Sequence, residues 1–302
     1  GTWATLRQRG EAEREVGRMS LQQALSARYH RARGSATLRL LRHDFFNTAR
    51  NTDPTNLGTA NNVGSFGLQG TAHADLWRTS ATRVSLRATA QSTFRAPTFA
   101  ENYYFRYGNT QLRNERAQRL NFGLVGAYAV GLWQVLASAD AFADRITDGI
   151  VAIPLTPAIW RTENLDQVLA SGLDVTANVR YARKKRTTIA AMGHWLLCQT
   201  LDRSTPHSRS YDLTLPYRPT HQGYFAVEAA HGALGLSTSL AYTGERWSTP
   251  QHLAVSRLPA FAEWNAALWW KRSLGTSTLT LRATLMNLTD AQREYVRGYP
   301  LP

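Results

Sequence analysis

The stretch Thr82-Arg83-Val84-Ser85-Leu86-Arg87-Ala88-Thr89-Ala90-Gln91-Ser92-Thr93-Phe94 decides the fold. Val84, Leu86, Ala88 and Ala90 alternate with Arg83, Ser85, Arg87, Thr89, Gln91 and Thr93. A strand sends successive side chains to opposite faces, whereas a helix of period 3.6 would mix the two sets. The stretch therefore reads as a strand with one apolar and one polar face, the pattern of a wall between lipid and water.

Working outward, the same period recurs. Leu279, Leu281, Ala283 and Leu285 oppose Thr278, Thr280, Arg282 and Thr284. Leu173, Val175, Ala177, Val179 and Tyr181 oppose Gly172, Asp174, Thr176, Asn178 and Arg180. Phe66, Leu68, Ala72, Ala74 and Leu76 oppose Ser65, Gln69, Thr71, His73 and Asp75. Residues 18–30 carry helix-favouring Glu and Gln nearby and Ala24 inside, yet Met19, Leu21, Leu25, Ala27 and Tyr29 are all odd, so this too reads as a strand. The pattern is weaker at 133–146, where Leu136 and Phe142 fall on the polar face, and at 186–200.

About twelve strands are expected, near 18–31, 35–46, 62–77, 82–94, 117–131, 133–147, 167–181, 186–200, 221–231, 234–246, 260–273 and 277–288. Several exceed ten residues, whereas globular strands average about five or six and tilted membrane strands need about 9–11. The connections alternate in length. Short ones fall near residues 32–34, 78–81, 131–132, 182–185, 232–233 and 274–276, and long ones near 47–61, 95–116, 148–166, 201–220 and 247–259. Bacterial outer-membrane barrels have short periplasmic turns and long extracellular loops. Trp77, Trp133, Tyr181, Trp269 and Trp270 all stand beside short turns and are expected to form an interfacial girdle.

Composition narrows the function. The longest apolar run, residues 122–133, is well short of the roughly 20 that a spanning helix needs. Cys198 is alone, which excludes an internal disulfide or a multi-cysteine metal site. The formal charge of +14 is almost all arginine, scattered singly and without a basic helix, zinc-finger spacing or RNA-binding signature, so nucleic acid is not an expected partner. Lumen-facing arginines can pair with acids inside a barrel, and loop arginines can meet anionic lipopolysaccharide. The eight histidines form no HExxH pattern, and no P-loop, dinucleotide motif or GxSxG elbow is present. No enzymatic activity, catalytic residue, cofactor or resident metal is expected.

Several ordered stretches resemble motifs of TonB-dependent outer-membrane receptors. They are Phe94-Arg95-Ala96-Pro97-Thr98-Phe99 with Glu101-Asn102-Tyr103-Tyr104; Gly108-Asn109 with Leu112, Asn114 and Glu115; and Asp148-Gly149-Ile150-Val151-Ala152-Ile153-Pro154 with Trp160-Arg161 and Asn164-Leu165. Gly172-Leu173-Asp174, Leu215-Pro216-Tyr217-Arg218-Pro219-Thr220-His221 and Asn287-Leu288-Thr289-Asp290 with Gly298-Tyr299-Pro300-Leu301-Pro302 complete the set. Thr110 and Asn114 replace prolines usual in the family's second motif. These motifs mark architecture, because prolines end strand pairing and Asn-Leu-Thr-Asp favours a turn.

The resemblance implies an all-β, antiparallel transmembrane barrel. Residues 1–302 would be the C-terminal portion, with the plug, the TonB-binding motif and the last strand outside it. The twelve strands would then be roughly the tenth to twenty-first of 22. It implies a monomeric receptor in the bacterial outer membrane, surrounded by lipid and lipopolysaccharide and energised by the TonB complex. It further implies active uptake of a metal chelate or corrinoid. The run from Asp148 to Asn164 and the ending Gly298–Pro302 look most like the vitamin B12 receptor branch, so cobalamin ranks first among single ligands. Siderophore or haem iron is the alternative within the family, and a passive porin-type barrel the alternative of another class. Ligand contacts are expected on the long loops, because loops on a rigid scaffold carry recognition. Tyr103, Tyr104, Phe105 and Tyr107 are the first candidates, with Trp160, Arg161 and Trp247 second, since aromatic faces suit a large ring. His207 and His252 are the histidines deepest in the predicted loops.

Overall fold

The computed structural model describes residues 2–8, 14–51, 60, 62–103, 108–154, 160–183 and 186–301. In chain order the elements are β1 (Thr2–Gln8), β2 (Arg14–Arg31), β3 (Gly34–Asn51), β4 (Val63–Arg78), β5 (Thr82–Arg95), α1 (Phe99–Tyr103), β6 (Glu115–Val130), β7 (Trp133–Pro154), β8 (Trp160–Arg183) and β9 (Thr187–Asp202). There follow β10 (His221–His231), β11 (Leu234–Thr243), β12 (Arg246–Trp247), β13 (Arg257–Leu258), β14 (Phe261–Leu274), β15 (Ser277–Leu285), β16 (Arg293–Val296) and β17 (Tyr299–Leu301).

Thirteen strands form one antiparallel sheet in the order β1 to β11, then β14 and β15. Every strand pairs with its neighbours in that order, and among the described residues β1 and β15 each pair on one side only. The two small hairpins, β12–β13 and β16–β17, decorate the end where the long connections lie. No described helix is long and apolar enough to cross a membrane.

Register confirms the period-two reading. Leu25 lies opposite Leu40, and Leu40 opposite Leu68, on one face. On the other, Arg39, Gln69, Gln91, Arg119 and Asp144 follow one another across five strands. The large side chains of the apolar face are bare, with Leu25 74% exposed and Phe122 58%. An exposed apolar surface this extensive marks contact with a membrane or another protein.

The polar face is held by ion pairs between strands. Arg87 on β5 reaches across Gly123 on β6 to Asp140 on β7, donating from Nε at 2.7 Å and again from Nη2. A Cβ on Gly123 would stand 2.0 Å from an Asp140 oxygen, so glycine keeps the path open. Asp75 accepts from Arg83 Nε at 2.8 Å and Ser85 Oγ at 3.0 Å. The arginines here are about half exposed, and each pair is worth at most about 1 kcal/mol.

The structure corrects several expectations. The sheet has a strand more than expected, because β1 precedes the first predicted one. The strand predicted from residue 18 begins at Arg14, and its neighbour runs to Asn51 rather than 46. The described parts of 148–166, up to Pro154 and from Trp160, are strand and not loop. Pairing resumes at Gly149–Leu165 and continues to Pro154–Trp160, giving strands of 22 and 24 residues. Asp148, at φ 54°, is the irregularity between the two stretches. The predicted 95–116 loop contains the helix α1.

Trp269 does not join the girdle. It pairs with Gly235 and Arg282 on the polar face and is 8% exposed, with the Arg282 guanidinium 5.6 Å from its ring. Trp133, Tyr181 and Trp270 do lie on the apolar face, where the Trp133 and Tyr181 rings are 4.9 Å apart. Trp77 joins them through a bulge: Asp75 pairs with Ser85 and Trp77 with Val84, so Leu76 is an extra residue that re-aims the tryptophan.

Candidate functional site

The long-connection end is built from the quoted motifs. Pro97 closes β5, and Thr98 caps α1: Glu101 N donates to Thr98 Oγ1 at 3.2 Å, and Thr98 N to Glu101 Oε2 at 2.7 Å. This reciprocal capping box pins a helix of one turn that propensity alone would not hold. Arg95 then ties three elements together, donating to Glu101 at 2.9 Å and 3.0 Å, to Glu115 at 3.2 Å and to Ile150 O at 3.5 Å. On the far side, Arg18 donates to Pro97 O at 2.7 Å and lies 5.2 Å from the rings of both Phe45 and Phe99.

Gly108 and Asn109 bring the chain back. A Cβ on Gly108 would stand 2.6–2.7 Å from the backbone of Asn102 and Tyr103, so only glycine permits this approach. Asn109 N donates to Glu101 O at 2.7 Å, and its Nδ2 to Thr162 O at 3.2 Å. Arg113 donates to Asp148 at 2.6 Å and Asp166 at 3.1 Å, and the bond to Asp148 is the main reason its pKa is raised. Asn164 Nδ2 donates to Arg113 O at 3.0 Å and Asp148 O at 2.7 Å, which satisfies the backbone at the irregularity.

Beyond the β7–β8 extension lies a cavity of about 680 Å³. Ile150–Ile153 form one wall, and the Leu213–Arg218 segment, Pro250, Tyr295 and Val296 form the others. Buried Asp202 sits at its edge, accepting from Ser204 N at 2.9 Å and Ser210 Oγ at 2.8 Å. Tyr217 holds φ 59°, and its N–H donates to Trp247 O at 2.7 Å. Trp247 stacks on His252 at 4.8 Å and 9°, and His252 Nε2 donates to Thr214 O at 2.9 Å. Left-handed backbone at Asp148, His207, Asp212, Tyr217, His252, Asn287 and Asp290 is confined, among described non-glycine residues, to this end. Such strain persists where surrounding structure enforces it, as binding loops often require.

Arg246 locks the remaining walls. It is 3% exposed, donates to Glu294 O at 2.7 Å, Gly244 O at 3.4 Å and Pro259 O at 3.5 Å, and lies 5.3 Å from the Phe261 ring. Phe261 meets Tyr295 edge-on at 5.4 Å. Burial is the main reason the Arg246 pKa is lowered.

The expected contact residues fall in different places. Tyr103 is 3% exposed, clusters with Val16 and Ala60, and accepts from Ala60 N at 2.9 Å. Tyr104, Phe105 and Tyr107 lie outside the described residues. Trp160 starts β8, paired with Pro154, and Arg161 is exposed and bridged to Glu163 at 3.0 Å. Trp247 stands against the cavity through Tyr217. Asp202, Tyr217, Arg218, Tyr295 and Arg246 were not among the expected site residues, although the Leu215–His221 motif carried two of them. Tyr103→Phe leaves a buried N–H without its acceptor and is expected to cost about 1–3 kcal/mol. A lower urea midpoint checks this; an unchanged midpoint would mean Ala60 finds another acceptor.

Residues 23–288 match the family model described as "TonB dependent receptor-like, beta-barrel". No curated protein sequence matches the chain. Among solved structures it resembles the unliganded ferric citrate transporter FecA, at 14% identity and a TM-score of 0.70 over 93% of this chain and 42% of that one. The copper transporter OprC aligns at 16% identity and a TM-score of 0.59 over 93% and 42% of the two chains. The ferric preacinetobactin receptor BauA from Acinetobacter baumannii aligns at 13% and 0.61 over 94% and 41%. The chain thus spans less than half the length of these proteins, and at such identities the likeness concerns the fold alone.

Proposed function

Since the chain belongs to the TonB-dependent receptor β-barrel family, we propose that it forms part of the wall of an outer-membrane receptor for active uptake of a scarce metal chelate. The observation that carries this reading is the cavity of about 680 Å³ enclosed by the Ile150–Ile153 and Leu213–Arg218 motif segments. Its size lies within the range of small-molecule sites, and its walls are largely apolar with a few polar groups. The apolar face of the sheet then meets lipid and the polar face the lumen. The chain acts as a single receptor wall, with lipopolysaccharide near the long loops and the TonB complex as energy source. It is a binding and transport element with no catalytic role.

Arg218, Tyr217 and Trp247 are the contacts we favour, with Arg161 second; Trp160, Tyr104, Phe105 and Tyr107 stay candidates on their sequence alone. Ligand identity within the class is carried by two different supports. The resemblance of Asp148–Asn164 and Gly298–Pro302 to the vitamin B12 branch favours cobalamin. Ferric chelates are the second reading, favoured by the iron-chelate receptors among the structural neighbours.

Calorimetric titration of the full-length receptor in detergent, with cyanocobalamin and with haem and ferric citrate alongside, tests this. Saturable binding of one of them is expected, weakened roughly tenfold by Arg218→Ala, a loss of about 1.4 kcal/mol. Binding of ferric citrate or haem without cobalamin removes the B12 reading. Binding of none, in a receptor that keeps its heat-dependent gel shift, removes all three tested ligands from the proposal.

A further inference from the structure

The formal charge of +14 is not spread evenly. Fifteen of the 35 lysines and arginines lie within six residues of the six short turns at residues 32–33, 79–81, 131–132, 184–186, 232–233 and 275–276, against two of the 21 acids, Asp75 and Glu228. The rest of the chain is nearly balanced, so the excess belongs to the short-turn rim.

Register sorts these cations by face. Arg28, Arg39, Arg180 and Arg282 point to the polar side. Arg31, Arg183 and Arg272 lie on the apolar side, in register with Gly34, Thr187 and Leu279. All three are exposed, and none forms an ion pair among the described residues. Each stands two positions beyond an aromatic residue on the same face: Tyr29 before Arg31, Tyr181 before Arg183 and Trp270 before Arg272. The Arg31 guanidinium lies 5.9 Å from the Tyr29 ring centroid.

We propose that this rim is a docking surface for anionic phospholipid headgroups, seated on the pairs Tyr29/Arg31, Tyr181/Arg183 and Trp270/Arg272. The inference rests on the membrane reading above. Two residues along a strand advance about 6.6 Å, so a ring placed at the edge of the hydrocarbon sets its cation at the height of the phosphates. The occupant follows from charge: the rim's two acids, Asp75 and Glu228, lie on the polar face, so the apolar-face cations meet no carboxylate and attract a negatively charged leaflet surface, while amphipathic rings fix the depth. Trp133, beside Tyr181, and Trp77 continue the aromatic row between the cationic pairs. Lysines 184 and 185 adjoin Arg183 and Arg186 in the sequence and extend the positive charge.

The test is native mass spectrometry of the full-length receptor released from detergent with equimolar phosphatidylglycerol and phosphatidylethanolamine of matched acyl chains. Preferential retention of phosphatidylglycerol is expected, about fivefold weaker for each of Arg31→Gln, Arg183→Gln and Arg272→Gln. Lysine at these positions should preserve it. Arg116→Gln with Arg145→Gln, on the same face at the opposite rim, should leave it unchanged. Equal retention of the two lipids, or a triple glutamine variant that holds phosphatidylglycerol undiminished, overturns the proposal. So does loss of an acidic protein partner with no change in lipid. A receptor soluble without detergent and lacking a heat-dependent gel shift overturns the membrane reading as well, which separates the two failures.

Discussion

Gly172→Val is expected to cost the receptor about 3 kcal/mol, the upper end of the range for overpacking. A Cβ there would stand 1.9 Å from Leu197 O on β9, 2.8 Å from Phe142 Cζ on β7 and 3.0 Å from Cys198 Cα. Two of these neighbours are backbone atoms in ladders on which many other bonds depend, so the strand cannot give way locally. The urea midpoint of the full-length receptor, followed by its heat-dependent gel shift, measures the cost. Gly126→Val is the control, because a Cβ at Gly126 meets nothing within 4 Å. Equal effects at both sites would point to lost glycine flexibility and away from a clash.

Arg246→Ala is expected to weaken ligand binding at least tenfold while lowering stability by about 2–3 kcal/mol. The side chain is buried and holds carbonyls from three separate stretches, at Gly244, Pro259 and Glu294. Without it Tyr295 and Val296 lose their anchor at the cavity wall. Arg246→Lys should not restore binding, since an ammonium cannot span three acceptors as the planar fork does. Full recovery in the lysine variant would show that charge alone is used. Titration with whichever chelate binds the unmodified receptor, and hydrogen exchange at residues 293–301, read the two effects separately.

Most of the sheet was legible because its signal is local. Period two is written into each strand, and the weak stretch at 186–200 still pairs throughout as β9. The exceptions had partners on other strands. Phe142 broke the alternation at 133–146 because its ring covers the missing side chain of Gly172, and Trp269 lies over Gly235 in the same way, its Cε2 only 2.1 Å from where a Cβ would be. No count of alternating residues along one strand reveals such a fit. The β7–β8 extension was hidden for a related reason. Asp148-Gly149 and Pro154 read as loop punctuation, yet a single irregularity at Asp148 suffices for pairing to resume. At the mouth the motifs located the right segments, but they did not separate scaffold from surface. Tyr103 looks like a ligand-stacking ring in sequence and is instead a buried strut; its chain neighbours gave no sign of Ala60, 43 residues away.

The strict nearest-neighbour order of the sheet bears on how such a chain changes over generations. Each hairpin joins only the strand before it and the strand after it. Duplicating one hairpin would create one new seam of a kind the sheet already contains and leave all other pairings intact. Deleting one would bring together two strands whose outward-facing rows already match. Circumference is thus a quantity this architecture can alter in steps of two strands, by ordinary tandem duplication or loss, without inventing a new packing surface.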